Sequence, residues 1–193
     1  MADIPKVLVI GDSISMGYTP HAARELDGEF RLVHCEGNAG DSERVCERLD
    51  EWLAQDHDAE VIYINCGLHD LKQSREDGSY QVPVERYREN LMDMARRLGE
   101  TGKKVIWAMT TPVLHDRHRQ RKPFDRNEAD VQAYNAVARS IMNAHDIPIS
   151  ELHGAVAACS TERCVDEDGV HMTEEGNRIL GQAVADDLRR LAR

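Results

Sequence analysis

Near the start of the chain a short apolar run, KVLVI, empties into Gly11-Asp12-Ser13, and far downstream Asp168 precedes His171 by three residues in DEDGVH. A serine hydroxyl is a poor nucleophile until a neighbouring base takes its proton during attack. An imidazole is such a base. A carboxylate within one turn accepts its Nδ1 proton, leaves Nε2 to face the hydroxyl and stabilises the imidazolium that forms. Ser13, Asp168 and His171 are therefore the residue types for acyl transfer by a serine, with Ser13 as nucleophile. The developing oxyanion also needs preorganised N–H donors. Candidates are the backbone amides of Ser13 and Gly40, the latter in the run EGNAGDS (36–42), and the side chain of His69 in Gly67-Leu68-His69-Asp70.

Each motif has a plainer reading. Gly-Asp-Ser is common in turns, and Asp12 has the simple role of hydrogen-bonding backbone in its own turn. A second Gly-Asp-Ser, Gly40-Asp41-Ser42, abuts a helical pattern over 43–53, so Ser42 reads as the N-cap of that helix rather than as a nucleophile. His21, His34, His57, His115, His118, His145 and His153 lack a companion carboxylate in the pattern of Asp168 with His171 and read as surface or packing residues. They form no convincing metal set, and neither metal nor cofactor is expected.

Catalytic parts so far apart in sequence need a scaffold that gathers them. Apolar, β-rich runs occur at 6–10, 30–35, 60–66, 103–109 and 147–150, with helical patterns between them. Val45, Leu49, Trp52 and Leu53 share one helix face; Tyr87, Leu91, Met94, Ala95 and Leu98 a second; Val131, Tyr134, Ala138 and Ile141 a third; Ile179, Leu180, Ala183, Val184, Leu188 and Leu191 a fourth. Near-continuous apolar strands alternating with helices predict a parallel sheet covered on both faces. The expected fold is thus one three-layer α/β/α domain over 1–193, a doubly wound parallel sheet of about five strands. In such a sheet, function collects in loops at the carboxyl ends of strands. The first three strands empty into the Ser13, Gly40 and His69 segments, and Asp168 and His171 precede the last helix.

Composition limits the partners. The 193 residues carry a formal net charge of -11 and a sequence pI near 5.2, a balance opposed to that of nucleic-acid binders and of proteins that seek anionic membranes. No apolar run approaches the ~18 residues of a membrane span. The run Val7–Ile10 is too short for a signal-peptide core, which places the chain in the cytoplasm. Five cysteines are an odd number without paired metal-ligand spacing. Cys159 and Cys164 are near enough in sequence to bridge, but reduced thiols are the expectation in that compartment.

Gly-Asp-Ser near the N-terminus, a Gly after the second strand, Gly-x-x-Asp after the third and Asp-x-x-His before the last helix together resemble the SGNH, or GDSL-type, hydrolases. These blocks stand in the family's order across nearly the whole chain. The resemblance implies a flavodoxin-like fold, a triad of Ser13, Asp168 and His171, and an oxyanion hole completed by Gly40 and a side chain of the third block. That block is usually Gly-x-Asn-Asp in the family; here it is GLHD, with His69 in the place of Asn, and the first block is GDSI rather than GDSL.

The rival class is a catalytically silent flavodoxin-like module that binds a phosphate-bearing ligand, but the chain has no G-x-G-x-x-G and no P-loop. No long apolar insertion is present to cover a fatty chain. The polar segment 115–128, HDRHRQRKPFDRNE, holds five Arg or Lys residues. It reads either as a solvated loop or, if it borders the pocket, as a means of orienting a hydroxyl-rich or anionic substrate. The expected substrate is a small-molecule ester with a small acyl group, most simply an acetyl group on a sugar, with thioesterase or lysophospholipase activity as the alternatives. The oligomeric state stays open.

Overall fold

A computed structural model describes residues 4–192. Strand β1 (Lys6–Ile10) turns at Gly11-Asp12 into α1 (Ser13–Glu25), and β2 (Arg31–His34) leads to α2 (Ser42–Gln55). After β3 (Val61–Ile64) comes a loop holding the two-residue β4 (Gln73–Ser74), then α3 (Val84–Glu100) and β5 (Lys104–Ala108). There follow α4 (His115–Arg121), the two-residue β6 (Phe124–Asp125), α5 (Glu128–Ala144), β7 (Ile149–Ser150), α6 (Leu152–Cys159), α7 (Thr161–Cys164) and α8 (Glu174–Leu191).

The five apolar runs pair in parallel in the order β2-β1-β3-β5-β7. Helix α1 packs on α8 with α6 beside it, whereas α2, α3 and α5 pack in series, making a three-layer α/β/α sandwich. Strands β1 and β3 are buried along their whole length, as a sheet covered on both faces requires. The strand order reverses at β1 and β3, so their exit loops diverge and leave a crevice at the carboxyl edge.

Each expected helix face is buried or partly buried in the core. Helix α1 was not legible as a stripe and contains Pro20, a residue that removes a helical donor. Its capping by Asp12 and the burial of Ile14, Tyr18 and Ala22 hold it instead. The polar segment 115–128 is not a solvated loop: it folds into α4 and β6, and β6 pairs antiparallel with β4, against the loop after β3. His118 is buried there, its ring tilted against that of Phe124 with centroids 5.2 Å apart.

The N-cap of α2 is Asp41, whose carboxylate accepts from the Arg44 amide, and not Ser42, which stands one residue inside the helix, wholly buried. A serine can cap only where its hydroxyl reaches the free amides of the first turn; the Ser42 hydroxyl instead accepts from Asn90 Nδ2. Cys35, Cys66 and Cys164 are buried, Cys46 is half-buried and Cys159 is exposed, and none of them is joined in a disulfide. Among the described residues no helix is long and apolar enough to cross a membrane, and no cluster of His, Cys, Asp and Glu is arranged to hold a metal ion.

Candidate active site

Ser13 is the first residue of α1, immediately after the Asp12 cap, whose Oδ1 accepts from the Ile14 amide at 3.0 Å. The turn therefore lifts the Ser13 hydroxyl off the carboxyl end of β1, and its own amide belongs to the helix turn whose N–H groups have no partner four residues back. Ser13 Oγ lies 2.9 Å from His171 Nε2, although the two are 158 positions apart in sequence. His171 Nδ1 lies 2.5 Å from Asp168 Oδ2, and the other carboxylate oxygen accepts the backbone amides of Val170 and His171.

Partial burial pushes the Asp168 pKa up, but the hydrogen bonds from the His171 ring and from the two amides outweigh it and hold the carboxyl at about 2. Asp168 is thus an anion at any pH of interest. The tight turn it makes with Gly169 (φ +77°) presses on α4, since a Cβ at Gly169 would lie 2.4 Å from the Leu114 carbonyl oxygen. The geometry is a continuous hydrogen-bonded chain of hydroxyl, imidazole and carboxylate, able to pass a proton from Ser13 to His171.

His69 and His171 line the same cleft as Ser13, with Asn38, Leu68, Lys72, Lys122, Phe124, Arg126 and Val170, around a volume of about 310 Å³. His69 Nδ1 is 3.2 Å from Lys72 Nζ, and Nε2 is 3.8 Å from Asp12 Oδ2. Burial, with Lys72 and Arg126 close by, lowers the His69 pKa to about 4, so the ring is neutral. A lysine ammonium only donates. Nδ1 must therefore accept, and the ring hydrogen sits on Nε2. Burial also raises the Asp12 pKa, and Asp12 Oδ2 is a buried oxygen with no hydrogen-bond partner among the described residues.

Gly40 stands in the loop after β2, but its amide donates to Asn38 Oδ1 at 2.8 Å. Reaching an oxyanion requires that bond to be shared or exchanged. Asp70, beside His69, is wholly buried and ties the β3 loop to α2 by accepting the Ser42 amide on both oxygens, at 3.0 and 3.1 Å.

Several cleft residues had no individual signal in the sequence. Asn38 lay in a glycine-rich run that pointed only to backbone amides. Lys72 followed the third block without a motif of its own. Phe124 and Arg126 belong to the basic segment, whose place at the cleft depends on the β4–β6 pairing. A larger groove of about 770 Å³ opens at the opposite, amino edge of the sheet near Pro5, Asp58 and Lys104. It holds no serine or cysteine, and its lysines Lys103 and Lys104 are bonded to backbone carbonyls.

Residues 9–179 match the GDSL-like lipase/acylhydrolase family. Among solved structures, a lipase/acylhydrolase from Enterococcus faecalis superposes with a TM-score of 0.81 at 21% identity, covering 97% of this chain and 96% of that one. Axe2, an acetylxylan esterase from Geobacillus stearothermophilus, superposes with a TM-score of 0.74 at 17% identity over 98% and 94% of the two chains. The acetyl xylan esterase AlAXEase does so with a TM-score of 0.78 at 14% identity over 95% and 99%. No curated protein matches the sequence. At these identities the structural likenesses speak for the fold, whereas the family match spans most of the chain and takes in the segments that carry Ser13, His69 and His171; this protein belongs to the GDSL-like lipase/acylhydrolase family of carboxylic ester hydrolases.

Proposed function

We propose that the chain is a serine esterase that removes a small acyl group, in the first place acetyl, from a hydroxyl-rich molecule such as a sugar. The observation that carries this reading is the unbroken contact of Ser13 Oγ with His171 Nε2 and of His171 Nδ1 with Asp168. Ser13 Oγ attacks the ester carbonyl carbon while His171 Nε2 takes its proton. The oxyanion is met by the Ser13 amide, the His69 Nε2–H and, once its bond to Asn38 is shared, the Gly40 amide. The carbon–oxygen bond to the alcohol then breaks as His171 returns the proton to the leaving oxygen. Water, deprotonated by His171, next attacks the acyl-serine and releases the acid.

The small-acyl assignment rests on the cleft, whose volume of about 310 Å³ is at the lower end of ligand pockets, and on the two acetylxylan esterases among structures of the same fold. A panel of para-nitrophenyl esters of increasing acyl length, beside acetylated sugars, tests it. Activity should peak at acetyl, and an optimum at long chains would overturn the acyl assignment. Ser13→Ala should lower kcat by about a thousandfold or more without loss of fold, since nucleophile and base act as one unit. A fluorophosphonate should label Ser13 in the parent. An unlabelled, inactive protein would instead be a ligand-binding module.

A further inference from the structure

Cations gather at this cleft in a chain whose formal net charge is -11. Lys72, Lys122 and Arg126 all line it beside Ser13. The basic segment 115–128 divides according to where its side chains lie. Away from the cleft, Arg119 and Arg121 are matched by Asp125 and Glu167, and Arg117 is taken up by the carbonyls of Glu162 and Val165. The two members that line the cleft, Lys122 and Arg126, make no ion pair with a carboxylate among the described residues, and neither does Lys72.

Arg126 is 5% exposed, with Nε donating to the Leu68 carbonyl at 2.7 Å, which leaves the other guanidinium nitrogens to find partners. Phe124 lies against both Arg126, at 5.2 Å, and Lys72, at 5.5 Å, so two cations contact one aromatic ring. Burial and then the charge of Arg126 lower the pKa of Lys72, and burial lowers that of Arg126 to about 10. The acidic groups acting on these cations are Asp12, Asp41, Asp70 and Asp168. Asp168 accepts from the His171 ring, Asp70 from the Ser42 backbone amide and Asp41 from the Arg44 backbone amide, and burial disfavours the charged form of Asp12. Like charges held together without direct counter-charges are costly, and an anion placed among them relieves that cost.

We propose that the alcohol portion of the ester carries an anionic group, a carboxylate or a phosphate, received by Lys72, Lys122 and Arg126 in the cleft beside Ser13. The assignment rests on the serine-esterase reading above and adds the substrate's charge to it. A small acyl group has no room for the charge, so the charge belongs to the leaving alcohol. Charge-assisted hydrogen bonds from a guanidinium and two ammonium groups are the means of recognition.

Three acetyl esters that differ only at the far end of the alcohol test this: para-acetoxybenzoate, para-acetoxyphenyl phosphate and the neutral para-acetoxybenzamide. At least one anionic ester should exceed the amide in kcat/KM by about tenfold or more, and which one does so tells carboxylate from phosphate. Lys122→Glu alters a side chain with no hydrogen bond to lose among the described residues, and should bring the anionic-to-neutral ratio down to about one. Equal or better turnover of the amide, abolished by Ser13→Ala, would overturn the anionic substrate while leaving the esterase intact, the cations then serving only to balance Asp12. A ratio unchanged in Lys122→Glu would overturn the part given to that lysine. A preference seen only when the anion is on the acyl side, as in mono-para-nitrophenyl adipate against para-nitrophenyl hexanoate, would overturn its placement. No turnover with Ser13 labelled by fluorophosphonate would sink the anionic acetyl ester alone, and no turnover without labelling would sink both readings.

Discussion

His69 differs from an amide side chain in a way that matters for stabilising an oxyanion: which ring nitrogen carries the hydrogen has to be set. An Asn amide always presents an N–H, whereas a neutral imidazole presents one only on the side opposite its acceptor. Lys72 sets that side here by donating to Nδ1, and the lowered pKa of about 4 keeps the ring neutral. If Nε2–H is the third donor, removing it acts on the transition state more than on bound substrate. His69→Ala should then lower kcat by about a hundred- to a thousandfold with little change in KM, the usual loss for one oxyanion donor. His69→Asn should recover a substantial part of it. Turnover of the alanine variant within a few-fold of the parent would mean that backbone amides, Asn38 or water complete the hole.

Asp70 anchors the loop after β3, which presents His69 to the cleft, to the first turn of α2. Burial is the main cause of the rise in the Asp70 pKa to about 7 from an ordinary 3.8, partly offset by the hydrogen bonds from Ser42. Between those two values the folded protein binds more of this proton than the unfolded chain does. The carboxyl therefore contributes fully below the lower value, and its contribution is lost as pH rises through the upper one. Asp70→Asn keeps an oxygen for the Ser42 amide and removes the titration. Relative to the parent, its urea midpoint should rise between about pH 4 and about pH 8. Parallel midpoints across that range would show that Asp70 is accommodated as an anion and that its raised pKa has no part in stability.

At the scale of the whole molecule the triad is divided between the two ends of the chain, Ser13 opening α1 and His171 preceding α8. Their meeting depends on how closely these helices pack. Gly181 in α8 permits the approach: a Cβ there would lie 2.5 Å from His21 Cβ and 2.9 Å from the Ala22 amide nitrogen in α1. Gly181→Val should force the helices apart and cost about 1 to 3 kcal/mol of stability, the range for overpacking. The Ser13–His171 contact should weaken with it, so activity should fall even at temperatures where the variant is folded. Equal denaturation midpoints in variant and parent would show that the helix pair can adjust.

Much of this was legible because it is local. The periods of apolar residues marked the five sheet strands within a residue or two and the buried faces of α2, α3, α5 and α8, since each depends only on spacing within one element. Ser13, Gly40, His69, Asp168 and His171 could be named from their own short segments, and the strand-end rule placed those segments on one edge of the sheet. Helix α1 was not legible, because Pro20 and a weak stripe conceal a helix stabilised by packing against distant residues. The direction of the Gly40 amide, the acceptor role of His69 Nδ1 and the division of the basic segment into paired and unpaired cations were decided by tertiary structure alone. Asn38 and Lys72 stand only two and three residues from the groups they meet, but which of their atoms turn toward Gly40 and His69 is set by the loop conformations the fold imposes, and Arg126 reaches the cleft through the β4–β6 pairing. Sequence spacing carries no information about which atoms such partners turn toward one another.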